Sequence, residues 1–177
     1  VVKATGSSLR PEGSKMLLGS DGSISGSVTG GCVESAVFEE TRAVLESGVP
    51  KLLSYGVTNE QAWEVGLSCG GSVDILVESV DSPDWKVVEG CISDALENNR
   101  LAAVATTIKG AEPGRKLFLL KDGSAVGSLG SESLDQELIN AIPENWATHP
   151  PLPVTLTGGE MVFVDFIVPP PRLVIIG

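Results

Sequence analysis

Two cysteines stand in mirror-image glycine contexts, Gly30-Gly31-Cys32 and Cys69-Gly70-Gly71. Thiols flanked by residues without side chains are open to a ligand, a metal or each other. The apolar positions Val33, Ala36, Val37, Val44 and Leu45 predict a helix over about Cys32–Ser47. Cys32 is then expected in its first turn, where the macrodipole and unpaired N–H groups favour a thiolate, the reactive form of cysteine. Cys69-Gly70-Gly71 runs into the apolar stretch Val73–Val80, so this thiol is expected at the entrance of a strand. The competing reading of both is the commonest one for free cysteine, a small buried filler. Cys91 fits that second reading, because it falls within the apolar pattern Val87, Val88, Cys91, Ile92, Ala95 of another expected helix.

Fewer signals surround the other polar candidates. Arg10 lies in the loop sequence Gly6-Ser7-Ser8-Leu9-Arg10-Pro11 and is suited to pairing with an anionic group, or simply to solvation. Glu34 falls near the predicted helix start, where a carboxylate is favoured whatever its function. His149 is the only histidine and sits in a proline loop without companion ligands. Trp63 is of a size to stack on a flat ring, but an aromatic on a short helix is more often a core anchor. No Ser/His/Asp set, carboxylate pair or tight zinc spacing occurs, and nothing resembles a complete catalytic apparatus.

Composition narrows the partners. The chain has 177 residues with 23 acidic and 12 basic side chains, a formal net charge of −11. Such a chain has no basic patch for nucleic acid or an anionic membrane, although a small anion can still be held by backbone N–H groups and a local arginine. No apolar run reaches the roughly 18 residues that span a bilayer, and no secretory signal precedes the first expected strand. Three cysteines without framework spacing point to a reducing compartment, so a cytoplasmic location is expected.

The elements that must position the thiols follow from an internal repeat. With a shift of 101 residues, ten of the 24 positions from Ala4 to Ser27 are identical, including Gly13/Gly114, Lys15/Lys116, Asp21-Gly22-Ser23/Asp122-Gly123-Ser124 and Gly26/Gly127. Each copy reads as a strand, an irregular loop, a hairpin turning at Asp-Gly, and a helix. Helices are expected at about 32–47, 84–98 and 132–142, the second capped by Ser82 with Pro83 in its first turn. Strands are expected near 1–6, 15–20, 23–28, 51–55, 72–80, 101–108, 115–121, 124–129, 152–157 and 160–168. The predicted fold class is α+β, two related lobes of small, largely antiparallel sheets with helices. The first lobe is residues 1–81 with the cysteine site; residues 82–168 form a linking helix and the second lobe. Pro169-Pro170-Pro171 and Arg172–Gly177 are expected to be a linker and the opening strand of a Rossmann domain lying beyond this sequence. The copies differ where chemistry is expected: Cys32 aligns with Ser133, and Gly30-Gly31 with Ser131-Glu132.

Ala4–Leu17, then Gly26-Ser27-Val28-Thr29-Gly30-Gly31-Cys32-Val33-Glu34, closely resemble the amino-terminal domain of the XdhC/CoxI family. Gly66-Leu67-Ser68-Cys69-Gly70-Gly71 resembles that family's second signature, and Pro171–Gly177 the entry to its Rossmann domain. Leu9 and Ser14 depart from the family's more usual proline and alanine. The resemblance implies an accessory protein that binds molybdenum cofactor (molybdopterin), protects it during sulfuration and inserts it into a molybdenum hydroxylase such as xanthine dehydrogenase. It implies as partners the hydroxylase apoenzyme and a cysteine desulfurase, and a homodimer as the assembly; any dinucleotide would belong to the absent Rossmann domain. The residues it singles out for the cofactor are Arg10, Gly30, Gly31, Cys32, Glu34, Cys69, Gly70 and Gly71. Molybdenum is thiophilic, so Cys32 is the candidate metal ligand. A fragment of a nicotinamide-dependent oxidoreductase with a redox cysteine pair, and a structural domain with inert thiols, stay open beside this reading.

Overall fold

The computed structural model describes residues 1–6, 8, 10–31, 33–56 and 71–171. Cys32, Cys69, Gly70, Trp63 and the expected terminal strand at 172–177 lie outside the described residues. Within them the chain is α+β, with three helices and three antiparallel sheets.

The first half contains β1 (Lys3–Thr5), β2 (Met16–Leu18), β3 (Ile24–Gly26), α1 (Glu34–Ser47), β4 (Lys51–Tyr55) and β5 (Ser72–Val77). The second contains β6 (Ala102–Lys109), β7 (Lys116–Leu120), β8 (Ala125–Gly127), α3 (Glu132–Ala141), β9 (Leu152–Thr155) and β10 (Met161–Ile167), reached through α2 (Pro83–Glu97). Every expected strand and helix with described residues is present, most within one or two residues at each end. The Asp-Gly turns are built alike: Ser23 N–H and Ser124 N–H each donate to the aspartate two residues earlier, at 2.9 Å. Past each turn, Gly26 and Gly127 adopt φ of 85° and 88°. A Cβ at either would lie 2.3 or 2.4 Å from the carbonyl oxygen of Lys15 or Lys116, so only glycine lets the two hairpin strands close.

The halves share an order of elements but not a sheet. In the second half all five strands join in the order β8-β7-β6-β10-β9, whereas the first half splits into β1-β5-β4 and a separate ribbon β2-β3. The ten-residue stretch between β1 and β2 accounts for the split. Ala4 N–H, instead of joining β2, donates to the Glu12 carboxylate at 3.1 Å.

Each half builds its own core. Val33, Val37 and Val44 of the α1 segment pack on Leu53, Val73, Ile75 and Val77. The second sheet is covered on both faces, which is why β6 is buried almost throughout rather than alternating. Ala103, Ala105, Leu117 and Leu119 face Leu138 and Trp146, while Ala102, Val104 and Phe118 face Val88 and Ala95 of α2. Cys91 is partly buried against this α2 cluster, as its sequence pattern predicts. At α2's start the Ser82 hydroxyl accepts from Trp85 N–H at 3.3 Å, with Pro83 as the first helical residue.

The two halves meet through reciprocal contacts. The place a Gly13 Cβ would occupy is 2.6 Å from Pro151 Cγ, and that of Gly114 is 2.5 Å from Pro50 Cγ. Lys15 pairs with Asp165 at 2.5 Å, and Lys116 with Glu78 at 2.8 Å. Val2, Ile108 and Phe163, with Leu52 and Leu76 against them, fill the apolar part of the joint.

Candidate functional site

The glycine loop before α1 is organised around one carboxylate. Glu34 Oε1 accepts from Ser27 Oγ at 2.7 Å and from the N–H groups of Val28, Thr29 and Gly30 at 3.2, 2.9 and 3.0 Å. Its Oε2 accepts from Thr29 Oγ1 at 2.6 Å and Gly31 N–H at 2.9 Å. Four consecutive N–H groups converge because Gly30 and Gly31 take φ of 83° and 114°, conformations that L residues rarely adopt. Burial alone raises the Glu34 pKa, but the bonds from Thr29, Ser27 and the loop backbone outweigh it and hold the carboxyl far below its usual range.

This arrangement corrects the expected helix start. α1 begins at Glu34 with Val33 as its cap residue, two residues after the expected start, and the placement of Cys32 itself lies outside the described residues. Val33 is fully buried and has no side chain to cap with; the loop is fastened by Glu34 from inside the helix instead. The N–H donors of residues 28–31 are already engaged by that carboxylate.

The other expected site residues are distributed around the same lobe. Arg10 is exposed in the β1–β2 loop and enters no ion pair among the described residues. Gly30 and Gly31 are exposed, and among the described residues a Cβ on Gly31 would meet nothing within 4 Å. Gly71 is buried immediately before β5. Thr5 pairs with Ser72 and Tyr55 with Val73, so the end of β1, from which the Arg10 loop leaves, abuts the start of β5. Val33 and Val73, which follow the two cysteine motifs, share one core cluster. The separation of the two sulfur atoms lies outside the described residues.

Among the described residues there is no cluster of three or more His, Cys, Asp or Glu side chains suited to a metal ion. His149 is half-buried with its ring edge-on to Phe166, in keeping with a structural role. A shallow pocket between β7 and α3, lined by Leu119, Ile139, Ile142 and Trp146, contains none of the motif residues. No helix described is long and apolar enough to cross a membrane.

Sequence reasoning missed the buried lysine of the joint. Lys116 is 1% exposed, with its ammonium held by both Glu78 oxygens at 2.8 Å, by Thr106 Oγ1 at 3.0 Å and 4.5 Å above the Trp85 ring. The repeat aligns it with Lys15, which is 69% exposed, and gives no sign that one copy is buried.

Fold and loop together define an α+β domain whose first lobe presents an internally fastened glycine-cysteine loop. Comparison with known proteins agrees. The model of the XdhC and CoxI family matches residues 1–56, the stretch that includes the motif around Cys32. A protein of Bacillus subtilis (strain 168) described as a probable xanthine dehydrogenase subunit is 27% identical over 179 aligned residues, covering 100% of this chain and 51% of the relative. A molybdenum cofactor insertion chaperone of Escherichia coli (strain K12), PaoD, is 32% identical over 82 residues, 46% of this chain and 26% of the relative. The chain thus spans about half the length of the curated relative that it matches end to end. A crystal structure described as a xanthine dehydrogenase from Bacillus halodurans has the same fold, with a TM-score of 0.71 at 22% identity over 94% of this chain and 46% of that one.

Proposed function

We propose that this chain is the cofactor-holding part of an accessory protein that carries molybdenum cofactor to a hydroxylase of the xanthine dehydrogenase type. The observation that carries the reading is the Gly30-Gly31-Cys32-Val33-Glu34 motif, whose glycines are exposed and whose backbone is fastened by Glu34, in a chain similar to a named cofactor insertion chaperone. The available donor set suits the group: a thiol is a soft ligand for molybdenum or its sulfur, and a guanidinium pairs well with a phosphate. When bound, the cofactor supplies the molybdenum-centred redox chemistry of the client enzyme; the chaperone needs none of its own.

In this reading Cys32 holds the metal end and Arg10 neutralises an anionic group, while Gly30 and Gly31 allow the cofactor close to the backbone. Cys69, Gly70 and Gly71 form the second wall. Support comes from topology. The three residues Gly48–Pro50 turn the chain from α1 into β4, whose far end pairs with Val73, so the beginnings of α1 and β5 tend toward one end of the lobe. A homodimer, a cysteine desulfurase as sulfur donor and a cytoplasmic location complete the proposal. The test mixes cofactor-loaded protein with a cofactor-free xanthine dehydrogenase. Recovery of hydroxylase activity above that given by free cofactor supports the proposal, and no gain over free cofactor rejects it.

A further inference from the structure

We propose that Glu34 is a positioning residue for the Cys32 site and not one of its ligands, which revises the role expected from its place in the motif. The inference rests on the cofactor reading above and on the geometry of the loop. An ionised carboxylate offers about four lone-pair directions. Six donors from Ser27 to Gly31 already converge on Glu34, so its oxygens have no capacity left for a cofactor or a metal. What the carboxylate does is hold four consecutive peptide groups in place, ending at Gly31, the residue joined to Cys32.

The second half of the molecule supplies an internal comparison. Asp135 lies 101 residues after Glu34, and it accepts from the N–H of Leu129, which lies 101 residues after Val28, at 2.7 Å. There that is its one bond to the loop, and the helix start is fastened by an ordinary cap, Ser131 Oγ accepting from Leu134 N–H at 3.3 Å. The first half has glycine in place of that serine and glutamate in place of the aspartate. The longer side chain reaches over the glycines and collects the whole loop. A loop that served only to start a helix has the simpler solution available 101 residues later. The costlier one, with two adjacent glycines in left-handed conformations, is present only in the copy that carries Cys32.

The test uses the full chain and reads the loop separately from the cofactor. Amide hydrogen exchange at Thr29, Gly30 and Gly31 is compared in wild type, Glu34→Ala, Glu34→Gln and Glu34→Asp, with molybdopterin retention measured on the same samples. Loss of charge-assisted bonds is expected to speed exchange at these amides by on the order of 10- to 100-fold in the Ala and Gln variants, with exchange in β6 and β10 unchanged. Retention is expected to fall in parallel, and the Asp variant, which keeps a carboxylate one methylene short, to recover part of both. If Glu34→Ala does not fold, Glu34→Gln, close to it in size, carries the comparison. Unchanged loop exchange in every variant overturns the inference. So does fast loop exchange with wild-type retention, and so does lost retention with an unchanged loop, which is the signature of a ligand. Cys32→Ala run alongside separates the two proposals: wild-type retention in that variant rejects the cofactor site, while the exchange pattern still decides whether Glu34 fastens the loop.

Discussion

Replacing Lys116 by methionine keeps most of the side chain's length and apolar stem and removes only its charge. The Lys116 side chain is 1% exposed, and its ammonium is bonded to both oxygens of Glu78, whose own side chain is 17% exposed. Removing one member of a fully buried pair costs about 3–5 kcal/mol, because the partner charge is left uncompensated. Glu78 retains some contact with solvent, which lowers the expected loss to about 2–4 kcal/mol. Loss of the contact with Trp85, ordinarily about 0.5–2 kcal/mol, is contained within that figure. The second step is to remove both charges. Glu78→Leu with Lys116→Met leaves an apolar joint, and replacement of a buried ion pair by apolar groups is often neutral or stabilising. The double variant is therefore expected to recover at least half of the Lys116→Met loss, about 1–2 kcal/mol, and to be more stable than the sum of the two single losses predicts. Urea unfolding at neutral pH of the four proteins in the cycle supplies the numbers. If Lys116→Met is as stable as wild type, or the two single losses simply add, the pair does not hold the halves together and the reasoning fails. The pH dependence has a definite sign. Burial lowers the Lys116 pKa below its ordinary 10.5, more than the opposing pull of Glu78 raises it. Between the lowered value and 10.5 the unfolded chain binds more protons, so this group makes stability rise with pH in that window. The rise should be missing in Lys116→Met.

Two further predictions follow from the loops. Glu34 has a folded pKa far below its ordinary 4.5, so its stabilisation is complete above that pH and fades as pH falls beneath it. The stability gap between wild type and Glu34→Gln, measured by chemical unfolding, should narrow as pH drops from about 5 to about 3; a gap independent of pH contradicts the ionised carboxylate. Gly127→Ala should lose about 2–4 kcal/mol, from a left-handed φ of 88° and a Cβ 2.4 Å from the Lys116 carbonyl oxygen. Gly123→Ala in the preceding turn has a similar φ of 93° but open space around it and should lose less, about 1–2 kcal/mol, in the same thermal unfolding assay.

Much of the scaffold was legible because its signals are local. Asp21-Gly22 and Asp122-Gly123 specify hairpins by the conformations they permit, and Ser82-Pro83 starts a helix by what each residue can and cannot bond. The apolar stretch Val73–Val80 marked a strand, which the structure shows with Val73, Ile75 and Val77 on one buried face. What was not legible depends on distance in the chain. Whether β1 pairs with β2 depends on the loop of residues 6–15, whose Glu12 captures an N–H that β2 would otherwise use. The burial of Lys116, against the exposure of its aligned partner Lys15, depends on α2 and Glu78 arriving from elsewhere. Glu34 was recognisable as a carboxylate near a helix start. Its capture of four preceding N–H groups requires the two glycine conformations, which the letters Gly30-Gly31 allow without dictating. The helix consequently starts two residues later than its apolar pattern suggests.

The central claim is that the loop ending at Cys32 holds molybdenum cofactor. The direct measurement is the molybdopterin content of the full chain purified from cells that make the cofactor, read by the fluorescence of its oxidised pterin and compared with Cys32→Ala. The account predicts bound pterin in the wild type and its loss from the variant, with both proteins equally folded. Absence of pterin from the wild type, or equal amounts in the two proteins, would contradict it.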